Sequence, residues 1–226
     1  MSLLAIIPAR IGSKGIPKKN IKLLANKPLI AYTIEEALKV SNIDKIIVST
    51  DSQEIAEIAI KYGAEVPFLR PDEYSDDKST SYEVVEHALQ NLPYFKEVIL
   101  LQPTSPLRLS KDIKGIIKDK KKLKCSSILS VTQSKFHPYL GYEIIENKVL
   151  KPLSSKNKNV LRRQDLEPVF IPNGAIYLCE TKWLKTTKSF INYSSRAYIM
   201  PEERSIDIDT ELDWLIAEFL LGKMRL

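Results

Sequence analysis

The chain has 226 residues, 44% of them hydrophobic, and a formal net charge of +6 at pH 7. That size suits one α/β domain with room for a small appendage, and no apolar run approaches the ~18 residues of a membrane span. The basic balance admits anionic partners: nucleic acid, a lipid surface or small phosphorylated substrates.

Met1–Ile7 lacks a basic flank and runs into Pro8 and Arg10, so it reads as a first strand and not as a signal peptide. Leu3–Ile7 is continuously apolar, as in a strand buried on both faces. Pro28 opens a helix with Leu29, Ile30, Ile34, Ala37 and Leu38 on one face. A strand at Ile46–Val48 follows, then a helix capped by Ser52, running to Lys61 and ended by Gly63. Ser81–Asn91 predicts another helix, with a cap within Ser79-Thr80-Ser81. Val98–Leu101 is a strong strand. A helix capped by Ser110 comes next, and its run Lys118–Lys124 reads as a solvated face and helix end. Ile128–Val131 is a further strand. This β-α-β-α order predicts a mostly parallel sheet with helices on both faces.

The rhythm breaks over 134–172. Tyr142–Ile145 and Lys148–Lys151 flank Glu146-Asn147 as a hairpin, and the segment reads as an excursion from a single domain spanning 1–226. Ala175–Leu178 resumes the core. Strands near Ala197–Met200 and Ile206–Ile208 and a helix over Thr210–Leu221 close the chain. Cys125 and Cys179 lack CxxC spacing and read as buried free thiols of a cytoplasmic protein.

After the first strand comes a basic loop, Arg10-Ile11-Gly12-Ser13-Lys14-Gly15-Ile16-Pro17-Lys18-Lys19-Asn20. In open α/β sheets ligands bind beyond the carboxyl ends of strands, and glycines there let backbone N–H groups approach an anion. The loop matches neither GxxxxGK[ST] nor GxGxxG. Gly12-Ser13-Lys14-Gly15 also fits the GXXG loop of an RNA-binding KH module, but that loop joins two helices and this one follows a strand. Asp207 and Asp209 alternate with Ile206 and Ile208; on a strand both carboxylates share a face and suit a hard divalent cation. Alternatively, Asp209 caps the last helix. In isolation Arg162-Arg163-Gln164 is a surface charge pair and Asn173 a turn residue. His87 and His137 have no metal-ligand partner at i+4 and receive no catalytic role.

Ile7-Pro8-Ala9-Arg10, Gly12-Ser13-Lys14-Gly15 and Lys19-Asn20 resemble the signature of the acylneuraminate cytidylyltransferases, the CMP-sialic acid synthetases. Leu101-Gln102-Pro103-Thr104-Ser105-Pro106-Leu107-Arg108, Pro172-Asn173-Gly174-Ala175-Ile176-Tyr177 and Ser205–Asp209 agree in the same order. Ile11 departs from the pattern, where a small or polar residue is usual. Lys19-Asn20 and the glycine loop favour the sialic-acid branch over the sister enzymes for the eight-carbon sugar KDO.

The resemblance implies a Rossmann-like nucleotidyltransferase domain whose excursion makes a homodimer. It implies transfer of CMP from CTP to a nine-carbon sugar acid, N-acetylneuraminic acid or a relative such as legionaminic acid, with Mg²⁺ or Mn²⁺ as cofactor. Catalytic roles fall to Arg10, Lys19, Asp207 and Asp209, the two aspartates holding the metal. Nucleotide contacts fall to Ala9, Arg10, Gly12, Ser13, Lys14, Lys19, Asn20, Arg70 and Ser81. Sugar contacts fall to Gln102, Thr104, Ser105, Arg163, Gln164, Asn173 and Tyr177. Neither nucleic acid nor membrane is an expected partner.

Overall fold

The computed structural model describes residues 2–13, 15–76, 79–154 and 162–224. In chain order the elements are β1 (Leu3–Pro8), β2 (Leu23–Leu24), β3 (Lys27–Pro28), α1 (Leu29–Leu38), β4 (Lys45–Ser49), α2 (Gln53–Lys61), α3 (Ser81–Asn91), β5 (Glu97–Leu101) and α4 (Ser110–Leu123). They continue with β6 (Ser127–Gln133), β7 (Tyr142–Ile145), β8 (Val149–Pro152), β9 (Phe170–Glu180), α5 (Thr181–Thr187), β10 (Arg196–Ile199) and α6 (Glu211–Met224).

Six strands form one sheet in the order β10-β6-β9-β5-β1-β4. Five run parallel; β9 alone is reversed, pairing antiparallel with both β5 and β6. β1 sits between β4 and β5 and is buried on both faces, which explains its unbroken apolar run. Against one face α1, α2 and α4 pack Ile34, Ile55, Ile113 and Ile116 onto Ala5, Ile7 and Val48. On the other face α3 and α5 pack Val85, Leu89 and Leu184 onto Leu4, Ile6 and Leu100. A third cluster joins α6 to the loop after β1 through Trp214, Leu29, Ile16 and Ile208.

The helix starts follow local chemistry. Ser52 accepts from Ile55 N, and Thr80 forms a capping box with Glu83 at the head of α3. Ser110 is not a cap: it is the first residue of α4, and the Asp112 carboxylate receives the N–H of Leu109 at 3.0 Å. Lys118, Lys121, Lys122 and Lys124 are exposed as expected, whereas Lys120 turns inward to Glu97 at 2.6 Å. The hairpin forms as β7 and β8, joined through Glu146–Lys148.

Ile206–Ile208 is not a strand. It is an extended segment outside the sheet, held by Ile208 N donating to Thr104 O at 2.8 Å. No helix among the described residues is long and apolar enough to cross a membrane.

Candidate active site

The sheet order reverses at β1. The chain leaves β1 and β5 in different directions, so a crevice opens beyond their carboxyl ends. The loop after β1 is tied down at several points: Ala9 N donates to Ser49 O at 3.0 Å, Ile11 N to Asp51 Oδ1 at 3.0 Å, and Asn20 Nδ2 back to Arg10 O at 2.8 Å. Ile16 is fully buried and anchors its far side. A Cβ on Gly15 would lie 2.4 Å from Asp209 O, so only glycine permits this approach of the loop to the Ser205–Asp209 segment. Lys19 Nζ stitches the two together, donating to Ile208 O at 2.7 Å and to Asp209 Oδ1 at 3.1 Å.

Within that segment the side chains alternate although no ladder forms. Ile208 is buried in the α6 cluster, while Asp207 and Asp209 both line the crevice. Asp209 is exposed and does not cap α6. Thr210 does so, in reciprocal bonds with Asp213. Asp207 Oδ1 is buried with no hydrogen-bond partner. Burial pushes the Asp207 carboxyl above its ordinary value, opposed by the Thr104 hydroxyl and Lys19 and reinforced by Asp209. Among the described residues no group of three or more His, Cys, Asp or Glu side chains could hold a metal. A pair of carboxylates, one with an unpaired buried oxygen, nevertheless fits a magnesium ion that takes its other ligands from water and a bound phosphate.

The reversed strand brings its beginning to this same end of the sheet. Residues 173–176 bulge opposite Ser130, between the pairs Val131–Pro172 and Leu129–Tyr177. At the bulge Gly174 takes φ 75°, and a Cβ there would lie 3.0 Å from Asp207 Oδ2 and 3.1 Å from Gln102 Oε1. Asn173 turns away from the crevice. Its Oδ1 accepts from Ser130 Oγ at 2.6 Å and its Nδ2 donates to Ser205 Oγ at 2.8 Å. The expected sugar contact is thus a buried tie between β9 and the aspartate segment.

Arg108 is 1% exposed. It donates to the carbonyls of Gln102 and Ala175 at 3.1 and 2.8 Å and to Thr33 Oγ1 at 2.6 Å, and burial pulls its pKa down to about 10. It braces the Gln102–Arg108 loop from beneath. Across the crevice Arg70 is buried, its N–H bonded to Thr50 O at 2.7 Å and its Nε to Ser75 Oγ at 3.0 Å. Desolvation lowers its pKa, with Asp51 opposing and Arg10 adding to the effect.

The crevice holds about 480 Å³. Arg10, Ser13, Lys19, Asn20, Arg70, Ser81, Gln102, Thr104, Asp207 and Asp209 all line it. Ala9, Ser105 and Asn173 are buried beneath its wall and Gly12 lies exposed at the outer loop; none of the four lines it. Tyr177 lies in β9 near Asp207, whose charge raises the phenol's pKa in second place to burial, and its ring meets Phe190 at a tilt of 56° with centroids 5.6 Å apart. Gln164 is exposed in a short turn away from the crevice. Lys14 and the side chain of Arg163 lie outside what is described. The sequence reading missed Tyr74, Asp76 and Val84 in the crevice wall. Only the nearness of Val84 to Ser81, one helical turn away, could have signalled one of them. Cations and a carboxylate pair facing one crevice suit a polyphosphate, and Asp207 and Asp209 would hold a cation beside it.

Residues 4–213 match the family described as Cytidylyltransferase. The chain is 37% identical to the CMP-N,N'-diacetyllegionaminic acid synthase of Legionella pneumophila, covering 98% of this chain and 97% of that protein. It is 39% identical to the N-acylneuraminate cytidylyltransferase of Escherichia coli over 95% of this chain, but spans 51% of that longer relative. It is 37% identical to the pseudaminic acid cytidylyltransferase of Campylobacter jejuni over 97% of this chain and 96% of the relative. Among solved structures, the CMP:2-keto-3-deoxy-manno-octonic acid synthetase complexed with CTP superposes with a TM-score of 0.76 over 99% of this chain and all of that one, at 14% identity.

Proposed function

The chain belongs to the cytidylyltransferase family, and we propose on that footing that it activates a nine-carbon 2-keto sugar acid with CTP, giving the CMP-sugar and pyrophosphate. The observation that carries the reading is the crevice itself: the basic loop after β1, Arg70 and Ser81, the Gln102–Thr104 loop and the Asp207/Asp209 pair meet in one cavity.

In this reading the cytosine end of CTP lies against Arg70, Tyr74 and Ser81. A site that bonds one base leaves its polar groups unpaired with another, which is the basis of base selection. Arg10 and Lys19, with Ser13 and the loop backbone, receive the triphosphate and hold the charge of the departing pyrophosphate. Gln102 and Thr104 orient the sugar acid so that its anomeric hydroxyl meets the α-phosphate in line. Asp207 and Asp209 would hold Mg²⁺, or Mn²⁺ in its place, and the ion would supply Lewis-acid charge there. Lys19 Nζ, shared between Ile208 O and Asp209 in the structure, sits where its charge can face the phosphate.

The same reading makes the protein a homodimer acting in the cytoplasm. The dimer is supported by an excursion whose Ile144, Val149, Leu150 and Leu153 are all exposed, a surface that water disfavours and a second copy would cover. Within the class, N-acetylneuraminic acid is the first acceptor and legionaminic acid the second. The second is favoured by a relative that matches this chain end to end. Pyrophosphate release from CTP, measured with a panel of nine- and eight-carbon sugar acids, tests the reading. We expect release that requires a nine-carbon acid and a divalent cation. No sugar-dependent release, with tight oligonucleotide binding that salt weakens steeply, refutes it.

A further inference from the structure

His87 lies on α3 one turn beyond Val84 and is nine-tenths buried. Its ring is wedged between Phe68, edge-on at 4.9 Å, and Tyr74, tilted at 5.1 Å. Tyr74 and Arg70 both belong to the crevice wall, joined by a short chain segment in which Ser75 Oγ takes the Nε–H of Arg70. The imidazole is therefore the inner support of the stretch assigned above to the cytosine end.

The surroundings of His87 favour its neutral form. Asn91 Nδ2 donates to His87 O at 2.9 Å, which fixes the orientation of that amide. The same Nδ2 lies 3.5 Å from His87 Nε2, so that ring nitrogen faces an N–H donor. Nδ1 is buried without a partner. A second proton would set Nε2–H against the Asn91 N–H and add a buried cation near Arg70. The charged and titratable groups facing the ring are Arg70, Glu73 and Tyr74; only Glu73 favours the charged form.

We propose that His87 is a positioning residue for nucleotide binding: its neutral ring holds Tyr74 and Arg70 in the crevice wall, and protonating it releases that wall and weakens CTP. This rests on the cytidylyltransferase reading. Desolvation first, and then Arg70, keep the imidazole below its ordinary 6.5, so the support is complete at neutral pH and is lost as pH falls through the lowered value.

The test is the CTP dissociation constant by calorimetry from pH 8.0 to 5.0, wild type against His87→Phe. Phenylalanine keeps a ring between Phe68 and Tyr74 but cannot take a proton. Both proteins see the same titration of the CTP phosphate. With each protein scaled to its own affinity at pH 8.0, we expect an extra loss in the wild type of about tenfold per pH unit below the imidazole pKa, the limit for one linked proton. Parallel profiles overturn the proposal. A wild type that does not bind CTP at pH 8.0 overturns the cytidylyltransferase reading and this proposal with it. Should His87→Phe not fold, imidazole proton resonances of the wild type decide the matter. The chain has two histidines, and His137→Asn assigns them. A His87 signal that titrates at or above 6.5 refutes the proposal; one that titrates lower, and moves on adding CTP, upholds it.

Discussion

Asp207 keeps its carboxylate where charge is costly, half-buried with one oxygen unpaired and Gly174 pressed against the other. A carboxyl raised by burial carries no penalty at pH values where it is protonated both folded and unfolded. The penalty appears as pH rises through the folded value and stands in full at neutrality. Asp207→Asn is therefore expected to raise the melting temperature of the metal-free protein at pH 7, the direction expected when a strained functional group is relieved. It should also abolish the further rise that Mg²⁺ gives the wild type and cut turnover by about 10²-fold, the scale of one lost electrostatic group at a reacting centre. Calorimetric melts with and without Mg²⁺ check this; a magnesium-induced rise that persists in the variant removes Asp207 from the metal site. Gly174→Ala attacks the same place sterically. Its φ of 75° and the 3.0 Å approach of Asp207 both resist a methyl group, so a loss of about 1–3 kcal/mol in urea unfolding is expected, with turnover reduced alongside. An alanine variant as stable and active as the wild type would show that the Asp207 contact yields without cost.

Between elements, the aspartate segment is held by side chains far from it in sequence. Asp112 on α4 is 1% exposed, receives Leu109 N–H and pairs with Arg204 through bonds of 2.9 and 2.8 Å. Asp112→Ala removes a cap and the closer partner of Arg204, leaving it Glu203 at 3.7 Å, so we expect a loss of about 1.5–3 kcal/mol in urea unfolding, the scale of hydrogen bonds to a charged group. Asp112→Asn, which keeps an acceptor for Leu109, should lose less; equal losses would assign the whole effect to the ion pair. The Asp112–Arg204 tie was invisible in the sequence because the two residues are 92 positions apart. Local patterns were readable: the continuous apolar run of β1, the Thr80 region before α3, and the alternation through Asp207 and Asp209. Arg108 was not, since a buried arginine and an exposed one look alike until the carbonyls of Gln102 and Ala175 are placed beside it. Ile206–Ile208 has strand composition but pairs with no strand, because it lies over the Thr104 loop and not at a sheet edge. The bond from Asn173 to Ser205 spans 32 positions and could not be read from local pattern either.

On the scale of the whole molecule, the exposed apolar hairpin and the reversed strand are linked, since β9 starts at Phe170 at the base of the excursion and reaches the crevice by Gly174. Leu150→Asp on β8 is expected to turn the proposed dimer into a monomer in sedimentation and to leave the melting of the core nearly unchanged, because Leu150 is exposed. A variant that sediments as the wild type does would remove the hairpin from the interface. The reversed strand also sets the order in which the chain can complete itself. β5 and β6 are consecutive in the parallel series yet do not touch; β9 stands between them and is hydrogen-bonded to both. A chain emerging from the ribosome can pair β4, β1 and β5 early, but β6 has no place to dock until residue 180 is available. Such long-range closure is slow, and until it happens β5 presents an open apolar edge of the kind that invites aggregation. Newly made chains should therefore gain protease resistance in two steps, the second only after β9 has cleared the exit tunnel.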